Sequence, residues 1–177
     1  MTLIIAGFSN LTIVRASVWD NEISLWDDAL YKGVRVPGLY NDLGLRYLEK
    51  RMPDAAFALF SKGVDLAERQ KKPGLANRIR CNRGKAFFWL GDYSRAKREF
   101  EKVLTIDHNF GDAYYGLAMI YDHYGENEKA LQSLEKYIDL FAKSKSSLVH
   151  KQMLQDAKEL AERLRRTMEI RPQVQLN

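Results

Sequence analysis

The chain of 177 residues has one cysteine, four prolines, three histidines and no apolar run approaching the length of a membrane span. Each shortage excludes something. Cys81 alone can close no internal disulfide and build no zinc site, so stability has to come from packing. Few prolines, with 46% hydrophobic and 29% charged residues, exclude a disordered or collagen-like chain. His108, His123 and His150 stand 15 and 27 residues apart with no carboxylate at metal-ligand spacing, so they read as helix-surface histidines and no metal site is expected. No G-x-S-x-G, P-loop or G-x-G-x-x-G occurs, and Cys81 has no histidine near it in sequence to activate a thiol. Asp27-Asp28 and Glu99/Glu101 read as solvated helix charges. The expectation is a chain without catalytic residues, cofactor or small-molecule substrate.

Charge is also nearly balanced, at +5 overall, which identifies no nucleic-acid binder by itself. The first fourteen residues, MTLIIAGFSNLTIV, carry no charge. They are shorter than the roughly 20 apolar residues a bilayer crossing needs, and they have neither the basic start nor the small-residue cleavage site of a signal peptide. Two readings of segment 1–15 stay open: an apolar strand of chain packed on the first helix, or the trailing end of a transmembrane helix that begins further upstream.

What the chain does have is a repeat. Counting Pro37 as position 1, Tyr40, Leu43, Gly44, Tyr47, Ala56 and Phe60 fall at positions 4, 7, 8, 11, 20 and 24. Counting from Asn77, Gly84, Phe87, Ala96 and Phe100 fall at 8, 11, 20 and 24; counting from Gly111, the set is Tyr114, Leu117, Ala118, Tyr121, Ala130 and Leu134. The last two starts are 34 residues apart. This pattern resembles the tetratricopeptide repeat (TPR), and the match covers residues 37–142. The resemblance implies an all-α, right-handed solenoid of antiparallel helix pairs. The residue types suit that packing: small groups at positions 8 and 20 let two helix axes approach, and bulky groups at 11 and 24 bind each pair to its neighbours. Gly91-Asp92 and Gly125-Glu126-Asn127 mark turns, and Pro53 suits the first turn of a helix.

There are departures. The first repeat is 40 residues long, its extra length lying in DLAERQKKPG, which lengthens either the second helix or its exit loop. Arg80 and Arg83 occupy positions 4 and 7 of the second repeat, where an aromatic and a leucine are usual. Buried unpaired guanidinium groups are costly, so these either snorkel outward or line a polar seam. The layout expected is a solenoid domain over 16–170: a half-repeat 16–36, repeats 37–76, 77–110 and 111–146, and an amphipathic capping helix 147–170, followed by a loose tail 171–177.

Residues 15–44 carry a narrower resemblance. Arg15, Trp19, Asp20, Leu25-Trp26, Asp27-Asp28 and Tyr40-Asn41-Asp42-Leu43-Gly44 look like the junction at which polytopic, glycosyltransferase-like membrane proteins enter a C-terminal TPR domain. That resemblance implies an accessory domain on the extracytoplasmic (periplasmic or lumenal) face of a membrane; without it, the expected location is cytoplasmic.

In TPR proteins the first helices line a concave groove. The family's pattern implies groove residues Asn41, Leu45 and Leu48, then Arg78, Lys85, Phe88 and Trp89, then Tyr115, Met119 and Asp122. Lys85 and Arg78 beside Trp89, Tyr115 and Met119 suit a protein or peptide with an acidic group and an apolar anchor. The Lys and Asn set by which some members clamp a C-terminal carboxylate is not reproduced, since Leu45 and Lys85 stand at position 9. The central segment 61–102 has 12 basic and 5 acidic residues, while both flanks are close to neutral. Three functions follow in order: a protein-interaction scaffold, an accessory domain of a membrane-embedded enzyme, and, last, nucleic-acid binding through the basic block. The third predicts steep salt dependence.

Overall fold

The structure, a computed structural model, describes residues 22–142 and 148–174. Among them are eight helices and no strand: α1 (Glu22–Tyr31), α2 (Pro37–Glu49), α3 (Pro53–Arg69), α4 (Pro73–Trp89), α5 (Tyr93–Ile106), α6 (Gly111–His123), α7 (Asn127–Ala142) and α8 (Leu148–Val174). Segment 1–15, with Trp19 and Asp20 of the junction, lies outside the described residues. The chain forms two compact units, Met1–Ala76 and Asn77–Asn177, so the division falls where the second repeat begins.

In the first unit α2 packs on α3. Tyr40, Leu43, Ala56 and Phe60 are buried between them. Gly44 explains the close approach: a Cβ there would lie 2.5 Å from Phe60 Cε1, well inside contact distance. The extra length of the first repeat goes into helix at both ends of the exit. Helix α3 has 17 residues, and α4 also has 17 because it begins at Pro73, four residues ahead of the repeat boundary.

The turns between paired helices share one geometry. Position 15 is left-handed each time, with φ of 57° at Arg51, 77° at Gly91 and 71° at Gly125. Arg51 N–H donates to Leu48 and Met52 N–H to Tyr47; Gly91 and Asp92 donate to Phe88 and Phe87, and Gly125 and Glu126 to Asp122 and Tyr121. These paired bonds satisfy the last carbonyls of each helix. Asp92 then caps α5 through the Arg95 N–H at 2.9 Å, a bond that holds its carboxyl below the usual range.

In the second unit Phe100 of α5 passes between two glycines. A Cβ on Gly84 of α4 would lie 2.8 Å from its Cε1, and one on Gly116 of α6 2.5 Å from its Cζ. The third repeat solves the same problem with Ala118 and Leu134, both wholly buried. Ala118, Ala130, Leu134 and Tyr137 form one core with Ala157, Ala161 and Leu164 of α8, which packs along α7. Each large side chain so buried contributes about 1.5–3 kcal/mol. Helix α8 reaches Val174, four residues into the segment expected to be loose.

Arg80 and Arg83 line a polar seam. Arg80 is 2% exposed, its Nη1 donates to Asn77 Oδ1 at 3.0 Å, and its Nε lies 3.9 Å from Glu99 Oε2. Arg83 Nη2 donates to both Glu99 oxygens at 2.9 Å. Glu99 is therefore no solvated helix charge. Its carboxylate turns inward because α5 presents it to α4 as the counter-charge of two arginines.

Candidate functional site

Five of the expected groove residues surround one pocket of about 320 Å³ in the second unit. Helix α4 contributes Lys85, with Phe88 and Trp89 three and four residues further along the same face. Helix α6 contributes Tyr115, Gly116 and Met119, α5 contributes the ring of Phe100, and α8 contributes Met153. The walls are aromatic and thioether, the chemistry of adaptable apolar recognition. Trp89 stands at this pocket 53% exposed.

The aromatic packing continues at the surface beside it. Phe88 meets Tyr93 edge-on with centroids 5.2 Å apart, and Tyr93 stacks on His123 at 4.0 Å. His123 is thus a packing residue at the end of α6. Behind the pocket Tyr115 lies 5.2 Å from the ring of Tyr137, whose hydroxyl is buried without a hydrogen-bond partner among the described residues. Burial, helped by Asp112, Tyr115 and Asp156, pushes that hydroxyl up to about 12.

Lys85 does not present a free cation. Its Nζ lies 3.2 Å from Asp112 Oδ2 across α4 and α6. Burial pulls the ammonium pKa down, but Cys81 and Asp112 outweigh it and hold the value above the ordinary one. Cys81, one turn before Lys85, is buried, and burial pushes its thiol up to about 12, the reverse of what a nucleophile needs.

The remaining expected residues fall elsewhere. Arg78 is exposed and Asp122 pairs with Arg163 of α8 at 2.8 Å; neither lines the pocket. In the first unit Asn41 is buried on α2, its Nδ2 donating to Asp42 Oδ1 at 3.0 Å, and Leu45 and Leu48 are half-buried. Met153, Gly116 and the buried ring of Phe100 join the site only once the helices are packed. Met153 lies outside the repeats, and Phe100 stands at a repeat position whose role is packing, so the small residue at Gly116 is the one sequence signal of a cavity. Of the basic block, Arg80, Arg83 and Lys85 are matched by internal acids, and Arg95 pairs with Asp92. Among the described residues no group of three His, Cys, Asp or Glu could hold a metal, and no helix is long and apolar enough to cross a membrane.

Helices packed in sequence as antiparallel pairs, with glycine and alanine at their close approaches, define a helical-repeat protein. Residues 90–151 match the family model described as Tetratricopeptide repeat. Solved structures with the same fold include the Sgt2 TPR domain from Aspergillus fumigatus, at 16% identity and a TM-score of 0.62 over 77% of this chain and 82% of that one. The first TPR of Spaghetti (RPAP3), bound to the HSP90 peptide SRMEEVD, is 15% identical with a TM-score of 0.61 over 75% and 95% of the two chains. MamA is 20% identical with a TM-score of 0.59 over 95% and 88%. No curated protein sequence matches the chain. None of these comparisons reproduces the glycosyltransferase-like junction.

Proposed function

We propose that the chain is a non-catalytic interaction module and that the pocket between α4, α6 and α8 receives an apolar side chain of a partner peptide. The observation that carries this is the pocket itself: about 320 Å³ walled by Phe88, Tyr115, Met119 and the half-exposed Trp89. Exposed tryptophan at an apolar cleft is the usual anchor of a binding hot spot. A volume of this size takes one or two large side chains, each contributing about 1.5–3 kcal/mol. The TPR structure in complex with SRMEEVD supports peptide recognition as a use of this fold. Such binding needs no bond making, and the buried Cys81 thiol offers no nucleophile.

The test is a selection of random displayed peptides on the wild-type chain, followed by affinity measurement on two variants. Met119→Trp fills the pocket and Trp89→Ala removes its wall. The expected result is micromolar binding lost at least tenfold in both, with unchanged helicity by circular dichroism. Peptides that bind both variants as tightly as wild type overturn the proposal.

A further inference from the structure

The charges beside the pocket narrow the class of partner; this step rests on the pocket being the docking site. Among the described residues Lys85 is the one cation in its wall, and Asp112 already holds it at 3.2 Å, so an arriving carboxylate has to displace an aspartate in place. On the other side, the face of α8 that brings Met153 to the pocket continues with Asp156 and Leu160 at helical spacing. Asp156, Glu159, Leu160 and Arg163 line a second depression of about 320 Å³. The cation among its described lining residues, Arg163, is engaged by Asp122 at 2.8 Å. Its two acids are met by neutral amides: Gln152 Nε2 donates to Asp156 at 2.8 Å and Gln155 Nε2 to Glu159 at 2.7 Å. The negative field reaches the pocket, since Asp156 adds to burial in raising the Tyr115 hydroxyl.

We infer that the partner segment carries a basic side chain beside the bulky uncharged one that enters the pocket, the base lying over Asp156 and Glu159. The rise from Met153 to Glu159 along α8 is about 9 Å, so the two groups sit one to two helical turns apart, or within three residues of each other in an extended segment. An apolar anchor alone would leave the two acids unused, and an acidic tail would meet Asp156 and Glu159 beside a Lys85 already neutralised by Asp112. The sequence as a whole has a basic excess, yet beside this pocket the exposed charges of α8 facing it are Asp156 and Glu159.

The experiment uses the full chain, peptides selected on it from a random library, and the acidic peptide SRMEEVD as a second probe. Fluorescence polarisation is read on wild type, Met119→Trp, and the exposed double variant Asp156→Lys/Glu159→Lys. Selected peptides are expected to pair an aromatic or aliphatic residue with Lys or Arg, and to lose about three- to tenfold in affinity on charge reversal at low salt, a difference that shrinks at high salt. SRMEEVD is expected to bind more tightly to the reversed variant than to wild type. Peptides that depend on the pocket but are indifferent to charge reversal, or that carry Asp or Glu beside the anchor, overturn this inference and leave the docking reading standing. Peptides indifferent to Met119→Trp overturn both.

Discussion

The second and third repeats hold the same helix pair around different interiors. At positions 4 and 7 the third has Tyr114 and Leu117, and its core is an apolar cluster shared with α8. The second has Arg80 and Arg83, closed by Glu99 and Asn77. What the two keep in common is not hydrophobicity at these positions but a matched small and large pair: Gly84 under Phe100 in one, Ala118 with Leu134 in the other. Helix separation is set by the pair, and the remaining volume can be filled by hydrocarbon or by paired ions.

Removing one partner should break the comparison most. Glu99→Ala leaves two guanidinium groups without their carboxylate and is expected to cost about 3–5 kcal/mol in urea unfolding, whereas Arg80→Met/Arg83→Leu/Glu99→Leu, which makes the second repeat resemble the third, should be neutral or stabilising. Next comes the contact that both repeats share. Gly84→Ala drives a methyl into the Phe100 ring and should cost about 1–3 kcal/mol, and adding Phe100→Leu should recover part of that by recreating the Ala–Leu arrangement of the third repeat.

Alkali probes the buried hydroxyl and thiol. Cys81 is raised from 9.0 to about 12 and Tyr137 from 10.0 to about 12. Below their unfolded values both groups are protonated in either state and their contribution is complete. Above about pH 9 the unfolded chain loses these protons first, so stability should fall from pH 9 towards 12, and Cys81→Ala should flatten the first part of that fall. An alkylating reagent at pH 8 should modify Cys81 only at the rate of unfolding. The smallest effect is expected at the turns. Arg51 adopts the left-handed backbone that glycine holds at positions 91 and 125, so Arg51→Gly should raise stability by up to about 1 kcal/mol, visible as a small increase in Tm.

The repeat was legible because its signal is periodic: Gly44, Gly84 and Ala118 fall at one position and Phe60, Phe100 and Leu134 at another, and the packing reason for each is local to one helix pair. The ion cluster was only half legible. Arg80 and Arg83 stand out as departures, but Glu99 is indistinguishable in sequence from the solvated acids around it until α4 and α5 are packed together. Arg51 hid for a related reason: its strain belongs to a turn geometry that two glycines announce and an arginine does not. In the site, Lys85, Phe88, Trp89, Tyr115 and Met119 follow from repeat positions alone, whereas the Asp112 that neutralises Lys85 changes what that lysine can recognise.

Under the proposed docking, Met153 ties recognition to helix α8. Helix α8 is held by Ala157, Ala161 and Leu164 and by the pairs Arg163–Asp122 and Arg165–Glu135, and its first turns supply one wall of the pocket. Any ligand that touches Met153 therefore binds the docked helix and not the undocked one, and by mass action it shifts that equilibrium toward docking. Amide exchange along α8 would slow in proportion to occupancy, so the end cap doubles as a reporter of the pocket, and a partner that pulled on the C-terminus would loosen the grip on whatever the pocket holds.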